Sequence, residues 1–287
     1  MKFGILAANT MPFATPDGAA ALAGAAEASG FESLWTAEHI LWPDTYDSPY
    51  PYAETKKMPG SGNTLLPDPF IWLTWCAAHS RTLKLASGVV IVPYRHPALM
   101  AKEVATLDFL SGGWVILGIG IGWLEEEFLA LNVPFARRAA RTEEYVEVMR
   151  KLWAHDSVGH QGSFVAFAGM NSNPKPVCAR VPIVVGGHSR AAAERAGRIG
   201  DGFVPLGGDI AELIDIMRQA AAATGRDPQQ VEITASDDGL KRGDPTEPVE
   251  ALTDLDVDRI LLPAHRLARG DIAENCAKWA ARLGITS

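Results

Sequence analysis

Three groups of residues carry side chains or backbone suited to chemistry. The first is Thr36-Ala37-Glu38-His39, at the end of a strand-like run. A histidine there can take or give a proton near neutral pH, and a neighbouring carboxylate can orient it or hold its charged form. The two side chains can equally satisfy each other at a structural rim. The second group is Gly118-Ile119-Gly120-Ile121-Gly122-Trp123. Alternate glycines clear one face of a strand, so a planar ring or a polar chain can approach the backbone. Barrel packing with small residues in one layer writes the same pattern. The third is Val185-Gly186-Gly187-His188-Ser189, which opens a helix. Free amides at a helix start bind phosphate, and Ser189 can add a hydroxyl. An ordinary strand-to-helix turn also uses Gly-Gly-x-Ser.

The elements that must hold these groups can be read from hydrophobic runs. Eight short apolar or β-branched runs occur at 2–7, 33–39, 83–92, 115–121, 182–187, 202–206, 231–235 and 259–263. Helix-like segments lie between them. Asp68 and Pro69 start one helix, Ser111-Gly112-Gly113 ends another, and Ser189 caps the helix over 190–199. Strand and helix alternating eight times predict a single (β/α)8 TIM barrel over 1–287, with its active site at the strands' C-terminal ends. An open doubly wound sheet is the structural alternative, but no GxGxxG follows the first strand.

Two insertions break the rhythm. The segment 40–67 follows the second strand and carries Trp42, Tyr46, Tyr50 and Tyr52 among five prolines. Loops of that length are usually lids when they pack, and this one is expected to cap a substrate. The segment 124–180 follows the fourth strand, with an amphipathic helix over 138–153 and a hairpin over 158–167.

The wording of 87–123 resembles the luciferase-like monooxygenases, and is closest to the branch that uses the deazaflavin F420. Arg95-His96-Pro97 after the third strand and Leu110-Ser111-Gly112-Gly113 before the fourth carry the likeness, which extends from Phe3 to about Pro205. The resemblance implies an oxidoreductase exchanging a hydride between F420 and a small organic substrate. It implies His39 as acid/base, Glu38 as its support, and Trp42 on the substrate side. It implies Gly88, Val89 and Val90 behind the cofactor ring, with a cis peptide at Gly88–Val89. Gly120, Gly122 and Trp123 would line the ring or its chain. Gly186, Gly187, His188 and Ser189 would hold the phosphate, with Pro205 and Leu206 near the tail. A reduced-FMN monooxygenase on the same barrel is the first alternative. A non-catalytic flavin- or deazaflavin-binding protein is the second. Some sugar-phosphate-oxidising relatives place a glutamate directly after the fourth strand. Here Trp123 and Leu124 stand there, and acids begin only at Glu125.

Composition bounds the rest. The chain has 287 residues, 47% of them hydrophobic and 21% charged, with a net charge of -8. That charge argues against nonspecific binding to nucleic acid or anionic membrane. Three cysteines without a CxxC pair and no charged-then-apolar leader point to the cytoplasm. The histidines show no metal-ligand spacing, so no metal is expected. No P-loop or Gly-x-Ser-x-Gly elbow suggests a kinase or hydrolase. Arg95 and His96 read as a loop brace. Arg137, Arg138 and Arg141 read either as a draw for an anionic tail or as a solvated helix face. A homodimer through outer helices is the default assembly.

Overall fold

All eight apolar runs contribute strands to one closed parallel barrel. The computed structural model describes residues 1–285. The first half runs β1 (Lys2–Leu6), α1 (Pro16–Ala28), β2 (Ser33–Thr36), α2 (Pro69–Ala77), β3 (Lys84–Ser87), β4 (Val90–Ile91), α3 (Pro97–Ser111) and β5 (Val115–Gly120). The insertion after β5 holds α4 (Glu125–Ala130), α5 (Arg138–Ala154) and the antiparallel hairpin β6 (Val158–Gln161) and β7 (Ala166–Met170). The second half runs β8 (Ile183–Gly187), α6 (Arg190–Ile199), β9 (Gly202–Pro205), α7 (Ile210–Ala223), β10 (Glu232–Ala235), α8 (Asp238–Arg242), α9 (Thr246–Asp254), β11 (Arg259–Pro263) and α10 (Ile272–Leu283). Parallel pairing passes from β3 through β2, β1, β11, β10, β9 and β8 to β5, and β3 pairs with β5 to close the ring.

The run 83–92 is not one strand. It breaks at a cis peptide between Gly88 and Val89, and β4 resumes the pairing with β5 on the far side. The strands are buried on both faces, as their unbroken hydrophobicity requires. Trp35, Ala86, Ile116, Val184, Val204 and Leu261 point inward and fill the barrel. The alternate residues, such as Leu34, Leu85, Leu117 and Ile183, point outward into a larger core shared with the helices. Burying one such Leu or Ile side chain contributes about 1.5–3 kcal/mol.

Side-chain caps set several helix starts. Asp68 accepts from the amides of Phe70 and Ile71 at 2.9 and 3.1 Å. Ser189 accepts from Ala192 at 3.3 Å. His96 caps α3 through the Ala98 amide, and Gly112 ends that helix in the left-handed region at φ 80°.

The N-terminal end of the barrel is closed by charge. Arg259 is fully buried there, with Glu32 at 2.6 Å and Glu232 on its other side. Lys84 and Lys2 complete the set on Glu32 and Glu232. The Arg259 guanidinium lies 5.5 Å from the Trp35 ring, so this plug forms the floor beneath the inner layer. Among the described residues, no helix is long and apolar enough to cross a membrane.

Candidate active site

The C-terminal ends of the strands open into a cavity of about 930 Å³, a size usual for ligand sites. His39 lies on its wall where β2 ends, its side chain about 15% exposed. Its Nδ1 donates to Glu127 Oε2 at 2.7 Å. Among the described residues, Nε2 has no protein partner. The imidazole stands edge-on to Trp42 and Trp123, with ring centres 5.7 and 5.9 Å away. A base held at one nitrogen and free at the other can exchange a proton with a molecule in the cavity.

Glu127 sits in the first turn of α4 and is completely buried. Its Oε1 accepts the amides of Ile40 and Leu41 at 2.6 and 3.1 Å. Its Oε2 also accepts the Tyr94 hydroxyl at 3.0 Å. Burial and the nearby carboxylate push the Tyr94 phenol well above its ordinary range, so it stays a donor.

Glu38 does something else. Its Oε1 lies 2.6 Å from Arg95 Nη1, and its Oε2 accepts the Ile91 amide at 2.6 Å. Burial pushes this carboxyl up to about 7, against the lowering effects of Arg95 and the Ile91 amide. Arg95 also reaches Asp68 at 2.8 Å, so it braces β2 to the start of α2.

The segment between β2 and α2 lies over the cavity. Asn9, fully buried, ties its root and its end together: Nδ2 donates to the carbonyls of Ala37 and Pro67 at 2.9 and 3.1 Å. Glu126 of α4 accepts the Asp47 and Ser48 amides at 2.7 and 3.2 Å. Aromatic rings then form an arch across the mouth. Trp123 meets Tyr50 at 5.2 Å, Tyr50 meets Tyr52 at 5.3 Å, and Tyr52 meets His188 at 5.1 Å.

The opposite wall is backbone-rich. Val89 stands between two glycines: a Cβ at Gly120 would lie 2.7 Å from Val89 Cγ2, and one at Gly186 would lie 2.5 Å from Val89 Cγ1. Gly122 sits at φ 81°, where a side chain would also meet Phe128. Past Gly187, His188 and Ser189 at the start of α6 line the cavity, as do Lys56, Arg138, Arg195 and Lys241. Arg195 is paired with Glu143 at 3.0 Å and Lys241 with Asp238, which leaves Lys56 and Arg138 as the cations on this wall that an anionic group could meet.

A family model described as luciferase-like monooxygenase matches residues 1–237. The chain belongs to that family. An uncharacterised protein of Mycobacterium tuberculosis is 32% identical over 233 residues, covering 79% of this chain and 80% of its own length. The FMNH2-dependent dimethylsulfone monooxygenase of Pseudomonas putida is 32% identical over 155 residues, 52% of this chain and 42% of that enzyme. The crystal structure of monooxygenase RslO1 from Streptomyces bottropensis superposes with a TM-score of 0.77 at 25% identity, covering 99% of this chain and 98% of that one. The coenzyme F420-dependent tetrahydromethanopterin reductase of Methanopyrus kandleri superposes with a TM-score of 0.75 at 18% identity, covering 98% of each chain. That last likeness is one of fold.

On this luciferase-like barrel the residues expected at the site fall into place unevenly. Glu38, His39, Trp42, Gly88 and Val89 line the cavity, as do Gly120, Gly122 and Trp123. So do Gly186, Gly187, His188, Ser189, Pro205 and Leu206. Val90 does not: it is fully buried in the outer core, because side chains alternate along the strand. Glu38 does not support His39, because its carboxylate is committed to Arg95 and the Ile91 amide. Gly118 answers to packing, since a Cβ there would lie 1.8 Å from the Ser87 carbonyl oxygen. Of the three arginines, Arg138 alone lines the cavity, donating to the Gly122 carbonyl at 3.1 Å. Arg141 is buried, and Arg137 stacks 4.7 Å from the Phe164 ring.

Glu127, Tyr94 and Asn9 were not legible beforehand. The only sign of Glu127 was the run Glu125-Glu126-Glu127 after Trp123-Leu124. Three successive acids on a first turn look like macrodipole complements, and nothing local says which one turns inward.

Proposed function

We propose that this protein is an F420-dependent oxidoreductase that exchanges a hydride with a small organic substrate. The observation that supports it most is the His39–Glu127 couple, with Nε2 of His39 open to a cavity whose other wall is the Gly88–Val89 shelf. Bound deazaflavin would supply or accept the hydride at its central ring carbon. His39 Nε2 would hold the proton that leaves or joins the substrate oxygen. Trp42 and the arch of Tyr50 and Tyr52 would cover the substrate and exclude water. Gly88 and Val89 would back the ring, with Gly120 and Gly186 giving Val89 its room. The amides from Gly187 to Ser189, with Lys56 nearby, would hold the phosphate.

A second reading is a monooxygenase using reduced FMN. It is favoured by the partial match to the dimethylsulfone monooxygenase. The deazaflavin lacks the flavin N5 and does not readily form the oxygen adduct that monooxygenation needs. The two are separated by titrating the apo protein in parallel with F420 and FMN, oxidised and reduced, followed by oxygen-uptake measurements. Tight binding of reduced FMN with oxygen consumption would replace the hydride reading. Binding without turnover of any substrate, unaltered by His39→Ala, would favour a non-catalytic carrier.

A homodimer fits the outer surface. Ile71 and Trp75 on α2, and Leu99, Phe109 and Leu110 on the neighbouring α3, are apolar and exposed. Light scattering of the purified chain tests this.

A further inference from the structure

One carboxylate grips both the imidazole of His39 and the backbone that begins the lid. Glu127 receives four donors: the amides of Ile40 and Leu41 on Oε1, and His39 Nδ1 and the Tyr94 hydroxyl on Oε2. An ionised carboxylate offers about four acceptor positions. All are used, so Glu127 has none left for a molecule in the cavity. It therefore acts on other groups and not on substrate.

We infer that Glu127 is a positioning residue that couples the tautomer of His39 to the seating of the lid. The inference rests on reading His39 as the acid/base. His39 and Ile40 are consecutive, so the same carboxylate holds a ring and the peptide unit next to it. With Oε2 on Nδ1, the proton is fixed at Nδ1 and the Nε2 lone pair faces the cavity. If the lid root lifts, the Ile40 and Leu41 amides leave Oε1, and the carboxylate is no longer aligned with the imidazole. Neutral glutamine has one acceptor oxygen and an NH2 that opposes donors. It cannot serve both sides. Glu126 offers an internal comparison. It holds the lid at Asp47 and Ser48 and, among the described residues, makes no hydrogen bond to His39.

The test compares Glu127→Gln and Glu126→Gln with the unaltered protein by two methods. Nitrogen-15 NMR of labelled histidine reads the His39 tautomer, and hydrogen exchange reads the lid amides. Glu127→Gln is expected to populate both tautomers and to speed exchange at 40–41 by about tenfold or more, the usual effect of losing a bond to a charged acceptor. Glu126→Gln is expected to speed exchange at 47–48 and leave the His39 signals unchanged. Glu127→Asp keeps the charge with an arm too short to span both sides. It is expected to lose one side as well, and it carries the test if the glutamine variant does not fold. A tautomer ratio that stays fixed while the lid loosens would overturn the coupling. So would unchanged readings of both kinds. Neither method needs cofactor or turnover, so failure of the proposed chemistry would show separately, as inactivity with a normal NMR and exchange pattern.

Discussion

His39 is oriented by Glu127, 88 positions along the chain, and not by its neighbour Glu38. The two acids divide the work at this rim. Glu38 ties the end of β2 to the strand after the cis peptide, and Glu127 holds the imidazole. Replacing His39 with alanine should then lower turnover by about 10²–10⁴-fold, the range for a lost acid/base. Cofactor affinity should change little. Steady-state kinetics beside a fluorescence titration would show this, and an equal loss of binding would recast His39 as a cofactor contact.

Arg95 and Glu38 form a buried ion pair, with side chains about 10% and 1% exposed. Removing one partner leaves the other buried with polar atoms unpaired. Arg95→Met should destabilise the fold by about 1–3 kcal/mol, because the Glu38 carboxyl, already pushed up to about 7 by burial, takes up a proton when its partner goes. Arg95→Met with Glu38→Leu should recover much of that loss. Urea unfolding of the single and double variants gives the comparison, and additive losses would mean the two groups do not interact.

The charged floor of the barrel predicts an acid-sensitive step. Arg259 and Lys84 hold the Glu32 carboxyl down at about 2, although burial alone would raise it. Glu232 is lowered by Arg259 and Lys2. A carboxyl whose folded value lies below its unfolded one adds stability above the unfolded value. That stability is lost as pH falls through the folded one. The window here runs from the ordinary carboxylate value of 4.5 down to about 2. The loss attributable to Glu32 should be on the order of 3 kcal/mol, and Glu32→Gln should flatten this part of the pH–stability curve. An unchanged slope in that variant would assign the acid sensitivity elsewhere.

Glycines give a paired prediction of opposite sign. A Cβ at Gly118 would sit 1.8 Å from the Ser87 carbonyl oxygen, so β3 and β5 would have to part. Gly118→Ala should cost at least about 2 kcal/mol. Gly24, inside α1, has nothing within 4 Å of its added Cβ. Gly24→Ala should stabilise by about 0.4–1 kcal/mol, since alanine loses less backbone freedom on folding. Thermal denaturation of the two variants decides the matter, and a tolerated Gly118→Ala would mean that β3 can move.

The eight strands, their parallel arrangement and the two insertions follow from the sequence by itself. Doubly buried runs separated by capped helices have few other solutions. Asp68, Ser189 and Gly112 act through amides within a few residues of themselves, so their roles could be read locally. The residues lining the mouth were also largely legible, because strand ends in a barrel converge by topology. The partners of charged side chains were not. Glu38 stands beside His39 in the chain, yet successive side chains at a strand end point to different sides. Which of three consecutive acids turns toward His39 depends on how α4 leaves β5. Val90 faces the outer core because its neighbours Val89 and Ile91 take the cavity side and successive side chains alternate. Long-range pairing through space, unlike capping, leaves no fixed spacing to read, so only the folded barrel could join Glu127 to His39 and to the root of the lid.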